Sequence, residues 1–158
     1  MSDAYISMLI ESQEKKLELL DRAIELDKQQ EEMITGNPPD MEALNANLTA
    51  KGALVDELNK LDDGFDSVYA KVRNELIDNK EAHKEQILRL QELIRKITEK
   101  IAEVEALEAR SKLNVDNFLK KRRKSLKDGK VSVKAANVYS NNMRKAYNLS
   151  PYFVDNKK

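Results

Sequence analysis

A heptad pattern of apolar residues between Gln86 and Arg110 constrains the fold of this chain more than any other feature. The residues between the apolar positions are mostly Glu, Lys, Arg and Gln, which are good helix formers. Alternating steps of three and four keep one stripe of a helix against a partner helix. The pattern therefore predicts a long helix packed against others, with its seam at Ile87, Leu90, Ile94, Ile97, Ile101 and Val104.

The composition agrees with exposed helices better than with a globular enzyme. Charged residues make up 35% of the 158 residues and aromatic residues only 5%, and there is no Cys or Trp. Without Cys, disulfides, thiolate nucleophiles and zinc–thiolate sites are excluded. We expect no enzymatic activity, no metal and no cofactor. We also expect no membrane span, no signal peptide and a cytoplasmic location, because no apolar run approaches the roughly 20 residues that cross a bilayer.

Turn-forming residues divide the chain into three predicted helices, at about 2–35, 41–61 and 65–127. The first break is the clearest, because Gly36 and the two prolines that follow end a helix and Asp40 can cap the next one. The second break is predicted at Asp62-Asp63-Gly64. A continuous, kinked helix is the open alternative there, since the apolar pattern keeps its phase from Leu54 to Val72.

These patterns predict an all-α fold. We expect an elongated antiparallel helical bundle, or coiled coil, of three main helices with a short C-terminal amphipathic helix. Residues 1–128 would form the bundle, and residues 129–158 a basic, aromatic and partly flexible segment. An isolated helix as short as the last one is marginal in water, so we expect it to order by docking on the bundle or on a partner.

The net charge of zero conceals two regions of opposite charge. Residues 1–112 carry 16 Lys and Arg against 25 Asp and Glu, a net charge of −9. Residues 113–158 carry 12 against 3, a net charge of +9. The basic region could fold onto the acidic body or bind an acidic partner.

The predicted partner-binding residues belong to the C-terminal third of the chain. Apolar and aromatic side chains share one face of the predicted last helix, and a basic run precedes it from Lys120 to Lys124. A fourth helix that only completes the bundle is the alternative for that face. The basic run could also be a solvated helix end or, less in keeping with the acidic body, a nucleic-acid contact. The predicted contact residues are Phe118, Lys121, Arg122, Val138, Tyr139, Met143 and Tyr147.

Residues capable of catalysis or metal binding are few, and their patterns favour solvated helix faces. His83 is the single histidine and has no Cys beside it. Nothing in the sequence suggests an apolar pocket that would raise the pKa of one carboxyl in a pair. We therefore expect His83 to be partly exposed and the grouped carboxylates to face solvent, at Asp62-Asp63 and Glu103, Glu105 and Glu108.

Short strings throughout the chain carry a resemblance to one known family. The first helix contains Tyr5, Leu9, Glu11-Ser12, Lys16, Leu19-Leu20 and Gln30, and through them it resembles the FlgN/FliT-type flagellar export chaperones. The long helix resembles FlgN-like chains of Gram-positive bacteria at 90–94 and 105–110. The last region does so through Ala136, Tyr139, Asn142-Met143 and the ending at 152–158.

This resemblance implies a small cytoplasmic all-α chaperone for flagellar type III secretion. Such a protein binds hook-filament junction (hook-associated) proteins or the filament cap and delivers them to the export gate or export ATPase, without a cofactor. In the family the C-terminal helical region commonly contacts the cargo. Family members are often acidic, so the basic segment here leaves open which surface meets the cargo.

Two other functions are also compatible with the sequence. The first is a structural coiled-coil protein whose seam pairs with that of a second copy to form a homodimer. The second is a helical protein that binds nucleic acid through Lys120–Lys134, with an affinity that falls steeply as salt is added.

Overall fold

The computed structural model describes residues 2–35 and 40–126, with side chains described up to residue 121. Helix α1 is Ser2–Thr35, α2 is Met41–Asp78 and α3 is Lys84–Leu126, with a short 3-10 helix, Lys80–His83, between α2 and α3. No strand occurs within the described ranges. The predicted all-α class with three main helices is confirmed for these residues. The predicted C-terminal helix lies outside them.

Helix α1 packs against both α2 and α3. The apolar core forms three layers, and each layer takes side chains from all three helices. From layer to layer the residue numbers rise in α1 and α3 and fall in α2, so α2 is antiparallel to the other two helices. The layers are represented by Leu9, Val72 and Leu90, then Ile24, Leu58 and Ile97, then Ile34, Leu48 and Val115.

The start of α2 follows the local chemistry predicted for it. The Asp40 carboxylate accepts a hydrogen bond from the backbone N–H of Ala43 at 3.0 Å. This bond satisfies one of the N–H groups that the first turn of a helix leaves unpaired. The N-cap at Asp40 is therefore confirmed.

The predicted break at Asp62–Gly64 is wrong, and the continuous alternative is right. Helix α2 passes through these residues to Asp78. Asp62 does not cap a helix; its side chain is fully buried and bonds Lys16 of α1. Gly64 faces open space, so a helical backbone is tolerated there at only the intrinsic cost of glycine. The continuous apolar pattern from Leu54 to Val72 favours the helix more strongly than this one glycine disfavours it.

The chain breaks instead at Asn79, which corrects the predicted helices at 41–61 and 65–127. Asn79 has φ −120° and ψ 44° and lies between α2 and the 3-10 helix. Its backbone N–H donates to the Glu75 carbonyl at 2.9 Å, and its side-chain amide donates to the Glu75 carboxylate at 2.8 Å. These bonds close the end of α2 and let α3 return beside it.

Ion pairs on the surface match α1 to α3 in a parallel alignment. Asp21 lies 2.9 Å from Lys100, and Glu31 lies 3.2 Å from Arg110. These side chains are largely exposed, so each pair contributes little to stability. They show instead how α1 and α3 are aligned, because the acids lie on α1 and the bases lie at matching levels of α3.

Candidate functional site: an apolar groove between α2 and α3

A groove of about 440 Å³ lies between α2 and α3 at the end of the bundle that holds the 3-10 helix. Most of its lining is apolar or aromatic. The lining side chains come from α2, the 3-10 helix and α3, and we call this surface the α2–α3 groove. They are Phe65, Asp66, Tyr69, Leu76, Ile77, Lys80, Ile87, Leu90, Gln91 and Ile94.

The helical periods of α2 and α3 create the apolar walls of the groove. Phe65 and Tyr69 are one turn apart on α2, and their rings stack with centroids 6.1 Å apart. Ile87 and Ile94 are one heptad apart on the α3 seam and are only half-buried. Ile77 is 51% exposed, which is high for a large apolar side chain. The seam of α3 is thus covered on one side and open on this one.

Two charged side chains belong to the groove, and they lie toward opposite ends of it. Lys80 is on the 3-10 helix, whereas Asp66 is on α2, between Phe65 and Tyr69 in the wall. Partial burial and the nearby Asp63 carboxylate raise the pKa of Asp66, while Lys16 acts in the opposite direction. A cation bound beside Asp66 would stabilise the ionised carboxylate and so oppose the rise in its pKa.

Of the predicted contact residues, the two whose side chains are described, Phe118 and Lys121, do not line this groove. Phe118 is 9% exposed and packs in the core layer with Leu44 and Leu48, so its ring has little surface to offer a partner. Lys121 is exposed on α3, and Arg122 lies on α3 with its side chain outside the described part. The remaining four lie outside the described residues and stay predictions: Val138, Tyr139, Met143 and Tyr147.

His83 is buried, contrary to the expectation of a partly exposed residue. It is 7% exposed. Its Nε2 lies 3.2 Å from a Glu75 oxygen, and its Nδ1 lies 3.3 Å from Gln86 and 3.5 Å from the Asp3 carboxylate. Hydrogen bonds from Asn79 and His83 lower the pKa of Glu75. The imidazole therefore links the start of α1, the end of α2 and the start of α3.

A buried ionic cluster joins all three helices in the middle of the bundle. The Lys51 ammonium lies 2.9 Å from the Asp27 carboxylate and 2.7 Å from the Glu108 carboxylate. It also donates to the Gln30 side-chain oxygen at 3.3 Å. Nearby, the Asn47 amide donates to the Leu26 carbonyl at 2.9 Å. The expectation that Glu108 faces solvent is wrong, since its side chain is only 12% exposed.

The charges of this cluster change the pKa values of its members. Burial raises the pKa of Asp27 to about 7, and hydrogen bonding to Glu108 adds to this shift while Lys51 opposes it. For Lys51, burial lowers the pKa, but attraction to Glu108 and then Asp27 outweighs it, so the net pKa is raised. Near neutral pH the Asp27 carboxyl is therefore partly protonated while the lysine stays charged.

A second buried ion pair joins α1 and α2. Lys16 donates to the Asp62 carboxylate at 2.6 Å, and both side chains are almost completely buried. Asp62 was expected to face solvent, and that expectation is also wrong. Burial lowers the pKa of Lys16, against the effect of Asp62, and burial raises the pKa of Asp62, against the effect of Lys16.

Both ionic clusters are largely closed to solvent. The charged groups of both are enclosed between helices, so a substrate would have no access to them. Among the described residues, no three His, Cys, Asp or Glu side chains converge to hold a metal ion. The clusters join the helices to one another, whereas the α2–α3 groove offers apolar surface to a ligand.

None of the described helices is long and apolar enough to cross a membrane.

Comparison of the chain with models of known families, with curated proteins and with solved structures found no match.

Proposed function

We propose that this chain is a non-enzymatic flagellar export chaperone, which binds a helical segment of a hook-filament junction protein or the filament cap protein in the α2–α3 groove. The observation that carries the proposal is the open apolar wall that contains Ile77, Ile87 and Ile94. The resemblance of the chain to FlgN/FliT-type chaperones supports the choice of cargo. The export gate or export ATPase would receive the loaded chaperone in the cytoplasm.

Binding of a helix in a groove accounts for the chemistry of the site. An amphipathic helix places apolar anchors at steps of three and four residues, which match the spacing of turns on α2 and α3. A cargo segment that is disordered alone would fold as it binds, and burial of apolar area at roughly 25 cal/mol per Å² would offset the lost entropy. No nucleotide, metal or cofactor takes part in this mechanism.

The basic C-terminal segment, residues 129–158, belongs to the proposal as a second contact. Its apolar and aromatic residues at Val138, Tyr139, Met143 and Tyr147 would bind the cargo, as the family resemblance implies. The exposed Lys121 would meet acidic groups of the partner. Its neighbour Arg122 would extend the same basic contact.

The rival function, self-association through the α3 seam, has less surface available to it. Leu90, Ile97 and Val104 are each at most 9% exposed within a single chain. A second copy would therefore find most of the seam already covered by the helices of its own chain. The half-buried Ile87 and Ile94 belong to the α2–α3 groove.

The test is a binding titration of the full chain against purified hook-filament junction proteins and the filament cap protein. Ile77→Glu places a charge in the groove at a position that is 51% exposed, so the fold should tolerate it. We expect one-to-one binding by the unchanged chain and at least about tenfold weaker binding by this variant, because a charge must be desolvated in an apolar contact.

The matched control is Leu88→Glu. Leu88 is 55% exposed on α3 and does not line the groove, so the same chemical change is made outside the proposed site. We expect its affinity to equal that of the unchanged chain. Equal losses in both variants would remove the groove from the proposal, and no binding of any cargo by the unchanged chain would reject the function.

A further inference from the structure

The dimensions of the α2–α3 groove fit one short helix. From Phe65 to Ile77 the groove follows α2 for about three turns, which is about 18 Å at 1.5 Å per residue. On α3 the facing wall runs from Ile87 to Ile94, one heptad. A bound helix of about twelve residues would span this length and contact both walls.

The charge at the Asp66 end favours a basic group in the ligand. Asp66 is exposed on α2, within the groove lining. Partial desolvation and the Asp63 carboxylate disfavour its ionised form, and Lys16, which bonds Asp62 at 2.6 Å, acts in the opposite direction. A Lys or Arg of the ligand would relieve both effects, since an opposite charge favours the ionised carboxylate. The net charge of −9 on residues 1–112 attracts the same kind of ligand over a longer range.

The charge at the other end of the groove sets a direction. Lys80 is exposed on the 3-10 helix, where α2 has ended and α3 begins. The C-terminus of a bound helix carries a partial negative charge, and its N-terminus a partial positive one. A ligand helix with its N-terminus toward Asp66 and its C-terminus toward Lys80 therefore satisfies both ends. Such a helix runs parallel to α2.

We propose that the groove selects a cargo helix of about three turns, which places a Lys or Arg beside Asp66 and its C-terminal end beside Lys80. This inference rests on the proposed function, because it names the polarity of the helix that the same groove would bind. Apolar anchors alone would let the cargo helix bind in either direction, whereas the charges of Asp66 and Lys80 favour one of the two.

The experiment measures the affinity of the full chain for the hook-filament junction protein or cap protein that binds it, at low and at high salt. Asp66→Lys and Lys80→Glu reverse the two groove charges. Exposed residues of α2 outside the groove provide the matched controls, Glu57→Lys and Lys60→Glu. Circular dichroism and the thermal midpoint check that each variant is folded.

We expect each groove variant to bind roughly five- to tenfold more weakly than its control at low salt. The difference should shrink as salt screens the charges. Equal affinities of variant and control, together with a loss in Ile77→Glu, would overturn the polarity and leave the proposed function standing.

If Ile77→Glu does not weaken cargo binding, the groove is not the cargo site and the polarity is rejected with it. A lower thermal midpoint for Ile77→Glu, with unchanged cargo affinity, would identify another occupant. That occupant would be residues 129–158 of the same chain or a second copy of the chain, and the inference would be overturned.

Discussion

Two lysines are buried between the helices of this bundle, and they differ in how many carboxylates surround each ammonium group. Lys16 bonds the buried carboxylate of Asp62 and is also attracted by the exposed Asp66. Lys51 bonds two largely buried carboxylates, those of Asp27 and Glu108. The first pair joins α1 to α2, whereas the second cluster also includes α3. Both lie among apolar layers, so the number of buried carboxylates beside each ammonium group can be compared.

The number of buried carboxylates beside each ammonium group decides which groups remain ionised. At Lys16, desolvation outweighs attraction to Asp62 and Asp66, and the pKa is lowered. At Lys51, attraction to two buried carboxylates outweighs desolvation, and the pKa is raised. Burial, reinforced by the hydrogen bond to Glu108, raises the pKa of Asp27 to about 7. A buried lysine is kept charged by surplus carboxylates, and the surplus carboxyl holds a proton.

The largest effect is expected from removing the ammonium group that has two partners. Lys51→Met leaves Asp27 and Glu108 buried without a cation. We expect a loss of about 3–5 kcal/mol in the free energy of unfolding at pH 8, measured by urea denaturation. The loss should decrease below pH 6, where Asp27 can take up a proton.

Lys16→Met provides the comparison for this prediction. It leaves the buried carboxylate of Asp62, whose pKa is already raised by burial, and the exposed Asp66. We expect a smaller loss than for Lys51→Met, measured at the same pH. Equal losses would contradict the idea that the number of stranded carboxylates sets the cost.

An intermediate effect is expected from Asp27→Asn, and it should depend on pH. The folded pKa of Asp27 is about 7 and the model-peptide value is 3.8, so the folded chain binds this proton more tightly than the unfolded chain. Stability from this group is therefore full below pH 4 and falls as the pH rises toward 7. Between pH 5.5 and 8 the unchanged chain should lose about 2 kcal/mol relative to Asp27→Asn, which cannot titrate.

The measurement is a series of urea denaturation curves on both chains across this pH range. Subtracting the two series removes the other carboxylates, which are common to both. A difference that is independent of pH would contradict the raised pKa of Asp27. A difference of opposite sign would indicate that Lys51 keeps the Asp27 carboxylate ionised.

The smallest effect concerns the stretch that holds Asp62. Gly64→Ala adds a methyl group where nothing lies within 4 Å, in a continuous helix. We expect a gain of about 0.5–1 kcal/mol in the free energy of unfolding. Ala53→Gly, at an exposed position of the same helix, should cost a similar amount. A loss in Gly64→Ala would mean that α2 is interrupted beside the Lys16–Asp62 pair.

Features encoded in a few neighbouring residues were predictable from the sequence. The end of α1 at Thr35 and the cap of α2 at Asp40 follow from Gly, Pro and Asp in one short stretch. The seam of α3 follows from its own spacing. The break at Asn79 has no such signal, since residues 79–83 contain neither Gly nor Pro. It depends on hydrogen bonds to Glu75 and on the burial of His83.

The buried charges and the groove depend on contacts between helices. Lys16 follows Leu9 by seven residues and precedes Leu20 by four, so it occupies a seam position of α1. In the sequence it looks like an interruption of the apolar pattern. Its partner Asp62 is 46 residues away. Likewise, Ile87 and Ile94 were expected on a seam, but the sequence of one helix does not say which side of that seam a neighbour covers.

The separations along the chain imply an order of assembly. Asn47 bonds the Leu26 carbonyl across 21 residues, whereas Arg110 and Glu31 are 79 residues apart. Closing a shorter loop costs less chain entropy, so the α1–α2 hairpin should form before α3 docks. Lys51 then meets Asp27 first and Glu108 last. Docking of α3 near neutral pH should therefore draw a proton from the solvent, which makes the final folding step sensitive to the buffer.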